Sequence, residues 1–249
     1  MQTIIIVVLV LIILYLLKRE FGRNFTEQTF LSIVNHTFRT PLTRIKWMAD
    51  ALKTDMPRKD ELEIINNLDN SVNRLLELVD IVAGIKDIQN TSTYDLKAVS
   101  MREILEEALK KYSGLLHDKK IALRVPSLAN IPLLSVDTKK ISFVINVVIE
   151  NAILYSKENG NINIEAEIKN DELILKIEDS GIGLSKKDRS NLFKRFYRGE
   201  RATKMNTDGM GLGLYASREI IRRHNGKIYA DSKGENLGTT FYIVLPRTK

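Results

Sequence analysis

From Leu31 to Leu52, apolar residues return at steps of three and four: Leu31, Val34, Phe38, Leu42, Ile45, Met48 or Ala49, and Leu52. That spacing is the period of an amphipathic helix, and a strand cannot gather it on one face. Thr26 or Asn24 is the expected cap of this helix. After the turn-like Asp55-Met56-Pro57-Arg58, a second stripe follows: Leu62, Ile65, Leu68, Val72, Leu75, Leu76, Val79 and Val82. Two such helices joined by a short turn form an antiparallel hairpin. One hairpin cannot cover stripes this wide, which predicts that two copies of the chain pair as a four-helix bundle.

The first helix also carries a polar stripe of Ser32, His36, Thr40 and Thr43. His36 and Thr40 are four apart, share a face and can act on one substrate. Pro41 removes the hydrogen bond to the Thr37 carbonyl and is expected to bend the helix below the histidine. A lone histidine is more often solvated or part of a core than reactive. Here it lies off the apolar stripe, beside a proline that costs stability, and the functional reading is preferred.

Upstream, residues 1–17 carry no charge, and Ile4 to Leu17 is unbroken apolar sequence. With Met1 to Thr3 this reaches the lower limit of a membrane span, about 17–25 residues. There is no basic start and no small-residue cleavage site, as a signal peptide would need. Lys18, Arg19 and Arg23 follow at once, which predicts a single-pass anchor in the inner (cell) membrane with cytoplasmic C-terminal domains. A peripheral helix is the plainer alternative. About a dozen residues separate this segment from the hairpin, too few for a folded sensor domain between them.

The 249 residues contain no cysteine, which excludes a disulfide framework and a thiolate metal site. The net charge of +7 is spread among acidic residues, apart from Lys18/Arg19/Arg23 and the segment Lys194 to Lys204. Local phosphate contacts explain it better than a direct nucleic-acid partner.

Asn90-Thr91-Ser92-Thr93 is polar and marks a boundary, dividing the chain into 1–17, 18–90 and 91–249. Beyond it helices are expected over Met101 to Leu116, Lys139 to Ser156 and Gly213 to His224. Strands are expected over Ile121 to Val125, Asn161 to Ile168, Glu172 to Glu178, Lys227 to Asp231 and Thr239 to Leu245. The second and third of these strands alternate as a hairpin closed around Lys169-Asn170-Asp171. Strands and helices do not alternate one for one, so the fold class is α+β, a sheet layered on helices.

Three motifs carry the chemistry of this part. Asp179-Ser180-Gly181-Ile182-Gly183 follows a strand: a carboxylate there can accept from an exocyclic amine such as that of adenine, and Gly181 and Gly183 let backbone approach a ligand. Gly209-Met210-Gly211-Leu212-Gly213-Leu214 opens a helix, a start suited to phosphate. Its spacing is not that of the dinucleotide fingerprint. Between them Leu192-Phe193-Lys194-Arg195-Phe196-Tyr197-Arg198 interleaves cations with aromatics, either a pinned surface loop or a lid over phosphates. Asn151, in Asn146 to Ala152 on the preceding helix, is a potential magnesium ligand.

Taken in order, these boxes and the closing Gly238-Thr239-Thr240-Phe241 resemble a membrane-anchored sensor histidine kinase over roughly residues 20 to 247. The resemblance implies a dimerising phosphotransfer hairpin, then an ATP-binding α/β sandwich of the gyrase/Hsp90/histidine kinase type. It implies phosphorylation of His36 by ATP with Mg2+, transfer to an aspartate on the receiver domain of a separate response regulator, and a homodimer. By the same resemblance Asp179 holds the adenine amine and Asn151 the magnesium. Gly209, Gly211, Leu212 and Gly213 serve the lid and phosphates, with Tyr155, Gly181, Gly183, Phe193 and Arg198 completing the nucleotide site. Arg195 meets the transferring phosphoryl group, and Thr40 positions water for dephosphorylating the regulator. Gyrase-type or chaperone function has no place for the histidine hairpin.

Three positions depart from the family pattern. Thr37 stands where an acidic residue usually follows the histidine, and a hydroxyl is no base at neutral pH. Val147 stands where a second Asn is usual, four before Asn151, while Asn146 points about 140° away from it. Leu154 replaces a common Lys. Two alternatives to an efficient kinase therefore stand: a phosphatase-biased protein, or a degenerate ATP-binding partner. His36 lies 20 residues before the turn near Met56, and counting 20 beyond it reaches Leu76, so the adjacent Glu77 is a substitute base if its side chain points inward.

Overall fold

The computed structural model describes residues 27–53, 57–69, 71, 72, 75, 94–125, 131–206 and 209–247, with side chains from Phe38 onward. The chain divides into two compact units, Met1–Lys86 and Asp87–Lys249.

In the first unit, α1 (Glu27–Ala51) runs as one helix through Pro41. A second helix, α2, is described over 58–69. Phe38 is buried, whereas Leu62 and Ile65 on α2 stand 53% and 45% exposed in the single chain. The proposed anchor 1–17, the caps Asn24 and Thr26, the end of the second stripe (Leu76, Val79, Val82), Glu77 and the boundary 90–93 lie outside the described residues. Among the described residues, no helix is long and apolar enough to cross a membrane.

The second unit is a two-layer α/β sandwich. Its elements are β1 (Leu96–Val99), α3 (Met101–Lys111), α4 (Ser113–Asp118), β2 (Ala122–Arg124), β3 (Leu134–Asp137) and α5 (Thr138–Tyr155). There follow β4 (Asn161–Lys169), β5 (Glu172–Asp179), α6 (Lys186–Asn191), α7 (Glu200–Met205), α8 (Gly213–Arg223), β6 (Lys227–Asp231) and β7 (Thr239–Pro246). The main sheet has the order β2-β4-β5-β7-β6, with β2 parallel to β4 and the other pairs antiparallel. β4 and β5 form the expected hairpin. Lys169 pairs with Glu172, so the loop is two residues, and Asn170 and Asp171 both adopt positive φ (52° and 58°). Two left-handed residues match the twist of the flanking strands, and Asn and Asp tolerate them best after glycine.

The alternation of β5 turns Leu173, Leu175 and Ile177 inward against α5, while α8 lies on β6 and β7. α5 is amphipathic with a wide buried face of Ile141, Val144, Ile145, Val148, Ile149, Ala152 and Ile153. Asp137 caps its start, accepting the Lys140 N–H at 3.1 Å. The single helix expected over Met101 to Leu116 is two: Tyr112 ends α3 and begins α4. The Ser113 hydroxyl donates to the Lys110 carbonyl at 2.9 Å. Such local side-chain bonding competes with the helix ladder. The paired strands β1 and β3, and the short helices α6 and α7, were not foreseen; each is six residues or fewer.

α5 and α8 pack antiparallel, and His224 joins one end of the pair. Its buried ring accepts the Asp137 N–H at Nε2 (3.0 Å), and Nδ1 lies 2.9 Å from the Ile220 carbonyl. A neutral ring with its proton on Nδ1 satisfies both contacts. Tyr94 meets the ring edge-on, with centroids 4.9 Å apart. Burial holds the His224 pKa below its usual 6.5.

The folded state thus favours the neutral form: the contribution of His224 is full above pH 6.5 and is lost as pH falls below it. Replacing His224 by Leu strands the Asp137 N–H and is expected to lower stability by about 1–3 kcal/mol at neutral pH. In denaturant titrations the gap between wild type and variant narrows at about pH 5; a constant gap across that range contradicts the assignment.

Candidate active site

Asp179 ends β5 on its inward face, opposite Thr239 of β7. It is 5% exposed, and its Oδ1 accepts from the Gly181 N–H at 2.8 Å and the Thr239 N–H at 3.2 Å. Burial raises its pKa to about 6, with the two N–H donors pulling the other way. The group is therefore ionised at neutral pH, and one oxygen remains for a donor from outside. Gly181 sits so close to the Tyr155 carbonyl that a Cβ would collide with it, and the same carbonyl accepts the Ile182 N–H at 3.1 Å. The end of α5 and the Asp179 loop are thereby one rigid corner. Gly183, in left-handed backbone at φ +65°, lies against the Gly234 carbonyl. Arg201 of α7 ties the same loop down, donating to the Ile182 carbonyl at 2.8 Å and to Asn236 at 2.6 Å.

The glycine run contacts protein on every side. A Cβ at Gly209 would meet the Arg198 guanidinium at 3.4 Å, and one at Gly213 would meet Val147 Cγ1 at 3.2 Å. At Gly211, also left-handed, it would stand 2.6 Å from the Tyr197 carbonyl, so no other residue fits there. Leu212 is 1% exposed as a whole residue, with its side chain inside the core. No side chain caps the start of α8, which leaves its first N–H groups and the positive end of its dipole for an anion.

The aromatic segment is stitched to this run. Phe196, itself left-handed at φ +63°, donates its N–H to the Gly211 carbonyl at 2.9 Å. Arg198 donates to the carbonyls of Gly209 (2.9 Å), Ala202 (3.3 Å) and Asn206, bracing both ends of the segment that carries α7. Arg195 donates to the Tyr215 hydroxyl at 2.9 Å. The Tyr197 hydroxyl donates to Asp188 at 2.8 Å, beside the capping box of Ser185 and Asp188 on α6. Phe193 is half-buried.

On α5, the Asn151 amide donates to the Val147 carbonyl at 2.6 Å, which leaves its oxygen as the group for a cation. Val147 is 9% exposed and fills the space under Gly213. Asn146 bonds back to the Ser142 carbonyl at 2.8 Å, and its buried Oδ1 has no hydrogen-bond partner among the described residues. Lys119, which carries no local signal in the sequence, caps the end of α5. Its ammonium donates to the carbonyls of Ile153, Leu154 and Ser156 at 2.9, 2.7 and 3.1 Å.

The expected residues of the second unit thus form two linked groups: Tyr155, Asp179 and Gly181 at one, and Asn151, Val147, Gly213, Gly211, Gly209, Arg195 and Arg198 at the other. His36 and Thr40 lie four apart on α1, in the other unit. Sequence reasoning missed Tyr215, Arg201 and Lys119, whose roles depend on partners 19 or more residues away.

A buried carboxylate held by two backbone donors, an uncapped glycine-opened helix and a cationic segment beside it are features of a nucleotide-binding domain. Comparison with known proteins agrees. Residues 136–249 match the histidine kinase-, DNA gyrase B-, and HSP90-like ATPase family, and residues 26–83 match the His Kinase A (phospho-acceptor) domain. The sensor histidine kinase WalK of Bacillus subtilis is 30% identical over 232 residues, covering 88% of this chain and 36% of that protein. The structure of the Acinetobacter baumannii histidine kinase AdeS superposes with a TM-score of 0.64 at 25% identity, over 86% of this chain and 98% of that one. The fold is shared by histidine kinase ThkA, solved in complex with the response regulator protein TrrA (TM-score 0.64, 22% identity, 88% of this chain and 61% of that one). Residues 26–83 and 136–249 thus belong to the phospho-acceptor and ATPase domain families, and along 88% of its length the chain is similar to a sensor histidine kinase. It spans about a third of the length of the curated relatives it matches.

Asp179→Asn tests the corner. Asparagine keeps an oxygen for Gly181 and Thr239 but turns a donor toward a ligand amine. A carboxyl whose folded pKa is raised to about 6 adds stability that is full below its unfolded value of 3.8 and lost as pH rises through 6. At neutral pH the variant is therefore expected to be as stable as wild type or more so, by on the order of 1–3 kcal/mol. Binding of a fluorescent ATP analogue is lost; unchanged affinity contradicts the site.

Proposed function

We propose that this chain is the catalytic core of an ATP-dependent protein histidine kinase that works as a homodimer. Residues 18–90 form the phosphotransfer hairpin and residues 91–249 the ATP-binding domain. The observation that carries the reading is the Asp179 carboxylate: buried, ionised at neutral pH, and held by backbone with one oxygen left over. The exposed Leu62 and Ile65 support pairing of two hairpins, since apolar residues repeated on one helix face call for a partner. The anchor proposed for 1–17 would hold the assembly at the inner membrane as a single-pass protein.

ATP is placed with its adenine amine on Asp179 and its phosphates between the start of α8 and the cationic segment. Phe193 lines the same site, and Gly183 and Leu212, both buried, shape it from within the core. A neutral His36 ring nitrogen attacks the γ-phosphorus, the bond to the β-phosphate oxygen breaks, ADP leaves with the electron pair, and the ring proton is released. The product then passes its phosphoryl group to an aspartate on the receiver domain of a separate response regulator. The Asn151 oxygen would hold Mg2+, which would supply charge neutralisation at the phosphates. That donor fits: the Asn151 amide is anchored on the Val147 carbonyl at 2.6 Å, which leaves a neutral oxygen of the kind magnesium takes.

Thr37 cannot take the ring proton, nor can Ser32, Ile33, Arg39 or Thr40, the helical neighbours of His36. An unperturbed imidazole is already mostly neutral above its pKa of about 6.5, so the step is slowed but not abolished. A second reading, bias toward dephosphorylating the regulator with Thr40 positioning water, is favoured by Thr37 and by the packing of Val147 on Gly213.

With labelled γ-ATP, slow formation of an acid-labile phosphoprotein is expected, lost in His36→Gln. A positioned general base is worth about 10²–10⁴-fold, so Thr37→Glu should raise the rate roughly tenfold or more. A variant as slow as wild type moves the bottleneck to Val147 and Leu154, and wild type that never labels favours the second reading.

A further inference from the structure

Tyr215 is the third residue of α8, in the first turn after the glycine run. The Arg195 guanidinium both donates to its hydroxyl at 2.9 Å and lies over its ring, 4.8 Å from the centroid. Arg218 approaches the same ring at 5.8 Å. The backbone next to Arg195 is fixed as well, since Phe196 bonds to Gly211 and Arg198 to Gly209. A long arginine normally samples many rotamers and loses affinity to that search when it must capture a ligand. Here one aromatic side chain holds the guanidinium by a hydrogen bond and by its π face at once.

We propose that Tyr215 is a positioning residue that sets the Arg195 guanidinium beside the open N-terminus of α8 for the terminal phosphoryl group of ATP. The inference rests on reading this site as the ATP site. Tyr215 acts only through Arg195 and touches no phosphate itself. The charge that Arg195 presents matters most for the γ-phosphoryl group, which ADP lacks.

The test is binding of ATP and ADP to the full chain in wild type, Tyr215→Phe, Tyr215→Ala, Arg195→Ala and the double alanine variant. Tyr215→Ala is expected to weaken ATP about tenfold while ADP stays within about twofold, with Tyr215→Phe between because it keeps the ring. In the Arg195→Ala background the tyrosine change adds nothing, because its effect runs through the arginine. Equal losses for ATP and ADP would make Tyr215 structural and overturn the proposal. So would tighter ATP binding by Tyr215→Ala, which would mark the tyrosine as a latch competing with nucleotide. Wild type that binds neither nucleotide overturns the reading of the site, and this inference with it.

Discussion

One carboxylate oxygen organises the nucleotide-binding unit. Asp179 Oδ1 takes an N–H from Gly181, two residues along its own loop, and another from Thr239 on the neighbouring strand. To bring those donors in, Gly181 must press on the Tyr155 carbonyl, and Gly238 must pass so close to the Asp179 carbonyl that a Cβ would collide with it. Two backbone bonds do not fully offset the removal of a charge from water, which is why the pKa stays raised. A group that would be more comfortable neutral is tolerated where a ligand rewards the charge.

The same economy of contacts governs the pair of helices that carry the site. α5 and α8 are joined by His224 and Asp137 at one end and by Val147 and Gly213 at the other. At the first joint the contact is polar and depends on the histidine tautomer. At the second it is a β-branched side chain under a glycine, with no polar atom offered to a cation. Packing at Val147 therefore takes the place where a second amide would stand, and Asn151 is left as the amide on that face. Asn146 does not compensate, because its amide turns back to the Ser142 carbonyl.

Local pattern disclosed much of this. The periods of α1 and α5 and the hairpin around Asn170-Asp171 follow from alternation and helical spacing within a few residues, although Lys169, expected in the loop, pairs with Glu172. What stayed hidden depends on distant partners or on competition that periodicity does not register. The apolar spacing through Tyr112 reads as continuous helix, yet the ladder breaks at Tyr112, where the Ser113 hydroxyl turns back to the Lys110 carbonyl. Glycines 209, 211 and 213 look like a cradle for phosphate, but Gly211 is required where protein lies against protein, and Gly213 leaves little room above Val147. Arg198, expected at the nucleotide, is engaged with three carbonyls of its own segment. Lys119 reaches the end of α5 from 34 residues earlier in the chain.

The central claim is that Asp179 presents a bare, ionised acceptor to the exocyclic amine of a purine. Calorimetric titration of ATP against GTP addresses it directly, because guanine offers a carbonyl oxygen where adenine offers an amine. Two acceptors facing each other leave a buried charge unpaired, a loss on the order of a hundredfold or more in affinity. The account predicts that ATP binds and GTP does so at least that much more weakly; equal affinities for the two nucleotides would contradict it.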